Sequence, residues 1–196
     1  MLFSSLLLFS SVAVAANPVV LEPKSFDLPL VVGISRTILT PSDVGTIVLP
    51  DPSKLEFRRI QEKGPAIRKL LVIPKAVGAT DLVVNDPSSG APALRYRAVV
   101  VAPSFSALAT QKRLDKEAGL NVLDVAMTKG QSKQLRFEKP IGPIYLTVPS
   151  LVMFRRVGTR GQELDLLLLA TKPGLTDLVV HDASGNVQSK LYIDVK

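Results

Sequence analysis

The chain of 196 residues contains no cysteine and no tryptophan, and 46% of its residues are hydrophobic. Without thiols this sequence can form no disulfide, cysteine nucleophile, thiolate metal site or lipid-modified N-terminal cysteine. The formal charge of +7 would suit nucleic acid, anionic lipid or an acidic partner, but Lys and Arg are scattered, which favours a generally basic, solvated surface over a nucleic-acid role.

Residues 1–16 are predicted to be a secretory signal peptide. An apolar run ends in the small residues Ala13 and Ala15, which have the spacing of a cleavage site. No Lys or Arg precedes the run, so the true start could lie upstream of Met1. The alternative is a transmembrane anchor, but the run over residues 2–14 is shorter than the roughly 20 residues that cross a bilayer. We therefore expect export to the periplasm.

From residue 19 onward, short apolar runs are broken by Pro, Gly, Asp and Ser at spacings of about ten residues, a pattern typical of an antiparallel β-sandwich or barrel. In the first half we predict strands at residues 25–32, 36–39, 46–49, 55–60, 69–73, 80–85 and 94–101. A turn separates the last two because Asp86 can bond its own backbone, Pro87 fixes φ and Gly90 accepts a positive φ.

Residues 103–119 change in character and predict a helical linker. Ser104 or Ser106 can cap the helix, Leu108 and Leu114 share a helical stripe, and Gly119 is placed to end it. We expect about three turns that connect two sheets. The leucines favour packing on the second half of the chain, although a stiff spacer is the alternative.

In the second half the strand pattern returns, with strands predicted at residues 122–127, 132–137, 144–148, 153–157, 163–170, 176–181 and 187–195. The last strand of each half alternates between core-facing and outward-facing side chains. The inward set is Leu94, Tyr96, Ala98, Leu191, Ile193 and Val195. The outward set is Arg95, Arg97, Lys190, Tyr192 and Asp194, of which the two arginines are expected to face water.

The pentapeptide Thr-Asp-Leu-Val-Val occurs twice, at residues 80–84 and 176–180. The other pairs matched at an offset of 96 or 97 are Gly33 and Gly130, Ser35 and Ser132, Gly45 and Gly142, Phe57 and Phe154, Gly78 and Gly174, and Asp86 and Asp182. Such a register predicts two tandem copies of one unit of about 80 to 85 residues. We place module 1 at residues 19–102, the helical linker at 103–119 and module 2 at 120–196. Both modules are predicted to be small Ig-like antiparallel β-sandwiches.

Candidate catalytic groups are few. The sole histidine, His181, has Asn85 as its counterpart, and an imidazole at a strand end is expected at the surface rather than in catalysis. Residues 158–161 lack the Lys-Ser/Thr ending of a phosphate loop, and the turns are too poor in carboxylates for calcium. Asp81 and Asp177 are expected to lie far apart and to open their strands by local hydrogen bonds. We predict no catalytic residue, metal site or cofactor.

The tripeptide Phe-Arg-Arg also occurs in both modules. Its arginines, Arg58, Arg59, Arg155 and Arg156, are predicted to bind acidic groups of a protein partner, because guanidinium groups suit carboxylates. The alternative is ordinary strand alternation, with Phe inside and one Arg in water.

Each module thus runs from Gly-x-Ser through a Pro-Ser to Gly-x-Thr-Asp-Leu-Val-Val-x-Asp and a final strand. This order resembles the N-terminal domain of the outer-membrane secretins of Tad/Flp-type pili, the pilus-formation N-terminal domain. In module 1 the resemblance is carried by Gly33, Ser35, Ile38, Ile47, Pro52, Gly78, Thr80, Leu82, Val84 and Asp86. In module 2 it is carried by Gly130, Ser132, Leu135, Ile144, Pro149, Gly174, Thr176, Leu178, Val180 and Asp182.

The resemblance implies a periplasmic β-rich domain that docks to other parts of a pilus or secretion machine. Secretins of that family continue into a pore-forming region, which this sequence does not contain, so we expect a non-enzymatic accessory protein that binds a secretin or pilus-assembly component. Bacterial Ig-like repeats have a similar pattern, and an extracellular or cell-wall adhesion or spacer protein is therefore the alternative. A small hydrolase is a third hypothesis, which would require a pocket of converging polar groups.

Overall fold

The computed structural model describes residues 22–41, 43–60 and 68–196. The predicted signal peptide, residues 1–16, lies outside the described residues. Within the described ranges the chain is mostly β-strand and has one helix, α1 (Phe105–Glu117). No helix in this described part is long and apolar enough to cross a membrane.

Module 1 forms two sheets that pack face to face. Its strands are β1 (Lys24–Val31), β2 (Arg36–Leu39), β3 (Ile47–Val48), β4 (Leu55–Ile60), β5 (Lys69–Pro74), β6 (Gly78–Asn85) and β7 (Pro92–Val101). The four-stranded sheet has the order β1-β7-β6-β3 and the three-stranded sheet the order β2-β5-β4.

Module 2 repeats this arrangement strand for strand. Its strands are β8 (Val122–Met127), β9 (Ser132–Arg136), β10 (Ile141–Leu146), β11 (Val152–Val157), β12 (Asp165–Ala170), β13 (Gly174–Asp182) and β14 (Val187–Val195). The sheets run β10-β13-β14-β8 and β11-β12-β9, the same orders as in module 1 once each strand is replaced by its repeat counterpart. The predicted fold class, tandem β-sandwiches joined by a short helix, is confirmed.

One pairing in each module was not foreseen. The first strand lies parallel to the last, β1 beside β7 and β8 beside β14, whereas every other pairing among the described strands is antiparallel. Strand alternation carries no information on direction, because parallel and antiparallel neighbours both place side chains on alternate faces.

Each sandwich has its own apolar core, and the repeated pentapeptide contributes to it identically. Leu82 and Leu178 are fully buried in the two cores, as are Val84 and Val180 two residues later. Because strand side chains alternate, the aspartate and the first valine of each pentapeptide face outward from the sandwich. These outward positions are the ones that build the site described next.

Candidate functional site: the interface between the modules

The outer face of the three-stranded sheet of module 1 packs against the outer face of the four-stranded sheet of module 2. The apolar residues that meet there are Ile60, Leu71 and Ile73 from module 1 and Val179, Tyr145 and Val187 from module 2. Removing apolar surface from water is the main favourable term in such packing. The two sandwiches therefore share a third apolar cluster, which we call the module interface.

Helix α1 closes one side of the module interface. Ser104, one of the two predicted candidates, caps the helix by accepting a hydrogen bond from Ala107 N at 3.1 Å. The helix contacts β1 of module 1 and β8 of module 2. It is thus neither a free spacer nor attached to module 2 alone. Its fully buried residues are polar, Gln111 and Asp115, rather than the leucines of the predicted stripe.

The turn after β1 brings module 1 into direct hydrogen bonding with module 2. Gly33 has a φ of +81°, and a Cβ there would lie 3.1 Å from the carbonyl oxygen of Leu175, so only glycine fits without strain. Two residues on, Ser35 donates to the carboxylate of Asp177 twice, from its backbone N–H at 3.0 Å and from its hydroxyl at 2.7 Å. Thr147 donates to the same carboxylate.

These contacts correct the prediction for Asp177. The sequence suggested local hydrogen bonds at a strand opening, yet Asp177 lies within β13, is fully buried and accepts hydrogen bonds from the other module. A buried carboxylate needs several donors to offset its lost hydration. The duplicated serine and the duplicated aspartate meet each other across the module interface.

Lys190 of β14 holds this arrangement together. Its side chain is 1% exposed, and its Nζ lies 2.5 Å from Ser35 O, 2.6 Å from Asp115 Oδ2 and 3.3 Å from Asp177 Oδ2. The three contacts match the three hydrogens of an ammonium group. The strand alternation of β14 was predicted correctly, but this outward side chain faces another module instead of water.

Asp115 of α1 completes the set. Its Oδ2 also accepts a hydrogen bond from Tyr192 Oη at 2.6 Å, and its Oδ1 accepts one from Gln111 Nε2 at 3.3 Å. We call Ser35, Asp115, Asp177, Lys190 and Tyr192 the buried charge cluster. It draws on module 1, the helix and module 2 together, so it exists only when all three are in place.

Electrostatics favour the paired state of the cluster. Burial raises the pKa of the Tyr192 phenol well above its usual range, and the nearby carboxylate of Asp115 raises it further, so the phenol stays protonated and donates. Arg36 lies close enough to be stabilised by Asp115, although burial lowers the pKa of its guanidinium. The Lys190 ammonium thus has a hydrogen bond to Ser35 O, one to Asp115 and an ion pair with Asp177, so the polar groups of the cluster are engaged with one another.

His181 is buried rather than exposed, so the prediction for this residue was wrong. Its Nδ1 lies 3.2 Å from the carbonyl oxygen of Pro143, and its ring meets the Tyr145 ring edge-on at 5.2 Å between centroids. The cause is tertiary: β10 runs beside the end of β13 and covers the imidazole.

The second arginine of each Phe-Arg-Arg unit bonds a glycine carbonyl of its own module. Arg59 Nη2 donates to Gly45 O at 2.6 Å, and Arg156 Nη2 donates to Gly142 O at 2.5 Å. Glycine is required at both places, since an added Cβ would lie 2.5 Å from Asn85 O in module 1 and 2.0 Å from Asp182 O in module 2. The repeat thus preserves one arginine–glycine contact in both copies.

The first arginines face outward on the three-stranded sheets. Arg58 lies beside the module interface and pairs with Glu56 at 3.3 Å, whereas Arg155 occupies the same place on module 2, where no other module covers the sheet within the described structure. The structure therefore separates the four arginines into two that bond a glycine carbonyl of their own module and two on sheet faces. Their binding of a partner stays a prediction.

No protein-family model matches the sequence, and a search of curated proteins likewise finds no match. Among solved structures the chain is similar to domains 4 and 5 of the S-layer protein SbsC, with 12% identity, a TM-score of 0.31, and 76% of this chain and 75% of that chain covered. It is also similar to the extracellular cadherin domains 1–5 of protocadherin gamma B2, with 10% identity, a TM-score of 0.30, and 90% and 39% covered. Similarity at this level does not extend to function.

Proposed function

We propose that the protein is a non-enzymatic, exported binding protein that acts in the periplasm as an accessory component of a Tad-like pilus or secretin assembly. The observation that carries the proposal is the buried charge cluster. Its ionisable groups are engaged with one another across the module interface, where they hold two sandwiches in one orientation. Buried ion pairs contribute little net stability but can specify one arrangement over others.

Binding would then use the surfaces that the module interface leaves open. β11 is an edge strand of its sheet and carries the exposed Arg155. Unpaired backbone groups of an edge strand can add a strand from a partner, while the guanidinium group can meet a carboxylate. An acidic segment of a secretin or pilus component suits both features.

Affinity capture from the periplasm of producing cells tests this proposal. The wild-type chain should recover a secretin or pilus-assembly component, and Arg155→Glu should reduce that recovery at least about tenfold if the arginine contacts an acidic partner. Arg113→Glu is a matched control, because Arg113 is exposed on α1 and pairs only locally with Glu117 at 2.7 Å. Recovery of no envelope-complex component by the wild type would contradict the proposal.

The joint between the modules favours a second candidate, an extracellular or cell-wall adhesion or spacer protein. A spacer has to keep its length under load. The buried charge cluster, which includes the Ser35–Asp177 hydrogen bonds, and the apolar module interface oppose bending of one module relative to the other. Protease treatment of intact cells separates the two candidates. Cleavage of the chain supports the surface role, and protection with release in the soluble periplasmic fraction supports the accessory role.

A further inference from the structure

The module interface joins two kinds of surface, and the duplication supplies each of them twice. We call the outer face of a three-stranded sheet, with its adjoining Gly-x-Ser turn, the donor face. We call the outer face of a four-stranded sheet, with its outward Thr-Asp aspartate, the acceptor face. Within the chain, the donor face of module 1 covers the acceptor face of module 2. In the described part of the chain, no second sheet covers the donor face of module 2 or the acceptor face of module 1.

The uncovered donor face on module 2 keeps its apolar character. The counterparts of Ile60, Leu71 and Ile73 are Val157, Leu167 and Leu169. Leu169 is 37% exposed, and Met153, its cross-strand neighbour, is 60% exposed. A sheet face that meets only water is normally polar. Retained apolar residues at these positions therefore indicate a surface that is covered in the working state.

The uncovered acceptor face on module 1 keeps the charge pattern. Asp81 takes the place of Asp177, and Arg95 takes the place of Lys190, because Val83 pairs with Arg95 as Val179 pairs with Lys190. Arg95 Nε lies 3.7 Å from Asp81 Oδ2, and the Asp81 side chain is 37% exposed. The acceptor face of module 1 thus has a carboxylate and a cation at the equivalent positions, where they are exposed to water instead of covered by a second sheet.

The apolar and hydrogen-bonding partners are present as well. Val48 stands where Tyr145 stands in module 2, since each pairs with the first valine of its pentapeptide, and it is 46% exposed. Ser132, the counterpart of Ser35, is exposed at the edge of the module 2 donor face. Each side of a second interface therefore exists on the surface of one chain.

We infer that the chain binds a second copy of itself, with the module 2 donor face of one molecule on the module 1 acceptor face of the next. Ser132 of one molecule donates to Asp81 of the next, and Val157, Leu167 and Leu169 cover Val48 and Val83. The contact joins two different surfaces, so each added molecule presents the same free faces again and growth is open-ended unless the rotation closes a ring. The inference stands on the duplicated surfaces and does not require the pilus role.

The contact between copies is weaker than the one inside the chain. Among the described residues, none stands before β1 to supply the counterpart of Asp115, and Gln131 replaces the fully buried Ile34 in the donor turn. The linked modules also gain a high effective concentration that separate molecules lack. Assembly should therefore depend on protein concentration.

Sedimentation velocity over a wide range of protein concentrations tests the inference. The sample is the mature protein, purified from the cells that produce it. The wild type should rise in mean mass beyond two chains as concentration increases. Asp81→Arg, which blocks the acceptor face, and Leu169→Arg, which blocks the donor face, should each stay monomeric, with association weakened at least about tenfold. Leu123→Arg is the matched control, because Leu123 is equally exposed at 37% on an edge strand outside both faces.

The decisive sample is an equal mixture of the two blocked variants. Each retains one intact face, so the mixture should form complexes of two chains and stop there. A wild type that stays monomeric up to its solubility limit overturns the inference, as do blocked variants that still assemble on their own. If Leu169→Arg lowers the melting temperature, Met153→Lys replaces it, since that side chain is mostly in water and its change leaves the core intact.

Discussion

Asp81 and Asp177 occupy the same position of the repeat and have opposite surroundings. Asp177 is fully buried and accepts hydrogen bonds from Ser35 and Thr147, while Asp81 stands at the surface beside Arg95. They lie in equivalent strands, in the same register with the last strand of their module, and within the same pentapeptide. Apart from the Thr147 hydrogen bond, which comes from the same module as Asp177, the difference lies in what covers each sheet: a second module in one case and solvent in the other.

One motif is thus a structural contact in one copy and an open surface in the other. In water a carboxylate beside an arginine contributes little, because solvent screens the pair. Under a second sheet the same groups lose their hydration and have to satisfy one another. Substitutions at matched positions of the two modules test this contrast between buried and exposed copies.

The largest effect is expected for Lys190→Met. This change leaves the carboxylates of Asp115 and Asp177 buried without their shared ammonium, and breaking a buried pair in this way typically costs about 3–5 kcal/mol. The matched change Arg95→Met removes an exposed pair and should cost less than about 1 kcal/mol. Denaturant unfolding of both variants measures the contrast, and equal losses would contradict it.

A double-mutant cycle on Ser35 and Asp177 should give the next largest value. The serine hydroxyl donates to a buried carboxylate at 2.7 Å, so Ser35→Ala and Asp177→Asn should couple by about 1.5–3 kcal/mol. The same cycle on Ser132 and Asp81, in solution dilute enough to hold the chain monomeric, should show coupling close to zero. Coupling of similar size in both cycles would mean that burial does not distinguish the two copies.

Alanine at Gly45 or Gly142 should destabilise the module that contains it. A Cβ at Gly142 would lie 2.0 Å from Asp182 O, and one at Gly45 would lie 2.5 Å from Asn85 O, so the backbone has to move in each case. Overpacking of this kind costs about 1–3 kcal/mol, with the larger loss expected at Gly142. Thermal unfolding of each variant measures the loss, and wild-type melting temperatures would show that the backbone at these glycines shifts freely.

The two arginines of one tripeptide should differ in their effect on stability. Arg156→Ala removes the hydrogen bond to Gly142 O and should cost about 0.5–1.5 kcal/mol. Arg155→Ala, on the open sheet face, should stay within about 0.5 kcal/mol of the wild type. Chemical denaturation measures both. A larger loss for Arg155 would assign it to the fold and remove it from the candidate binding surface.

The smallest effect is expected from acid. Hydrogen bonds from the backbone N–H groups of Ser89 and Ser88 lower the pKa of Asp86. Burial acts to raise the pKa of Asp182, but hydrogen bonds from the backbone N–H groups of Asn186 and Ser184 outweigh burial, and the pKa of Asp182 is lowered. A carboxylate whose pKa is lower in the folded state than in the unfolded state stabilises the fold at pH values above its unfolded-state pKa of about 3.9. This stabilisation is lost as the pH falls through the folded-state pKa.

The melting temperature should therefore fall below a pH of about 4, and Asp86→Asn should flatten part of that fall. Melting curves between neutral and acidic pH measure both, and a slope unchanged by the substitution would show that the turn carboxylate is not responsible. The pKa of Asp51 is also lowered, chiefly by a hydrogen bond from the Ser53 hydroxyl, so Asp51 contributes to the loss of stability in acid in the wild type and in Asp86→Asn alike.

Most of the local structure was predictable from the sequence. The predicted strand at residues 55–60 is β4, the one at 122–127 is β8, and the helix lies within residues 103–119. Alternation, turn residues and a serine cap are properties of short segments, so they can be read without knowing what lies nearby in space. The same applies to the duplication, which predicted one topology used twice.

The site was predictable only in part. Ser35 and Asp177 could be identified because they belong to motifs that occur in both modules. Asp115 and Lys190 belong to no repeated motif and were not identified. A signal was present in the outward positions of the last strand, where Lys190 and Tyr192 replace the arginines of module 1. Alternation separates inside from outside, and it cannot tell whether the outside of a strand meets water.

Periodicity, turn chemistry and self-similarity act over short stretches of chain, so they were enough to predict two similar β-sandwiches with a helix between them. The folded chain adds that one sandwich covers the other and that Ser35, Asp115, Asp177 and Lys190 meet. These contacts join residues as many as 155 positions apart. Burial at such a distance depends on the relative placement of whole sheets, which no short segment encodes.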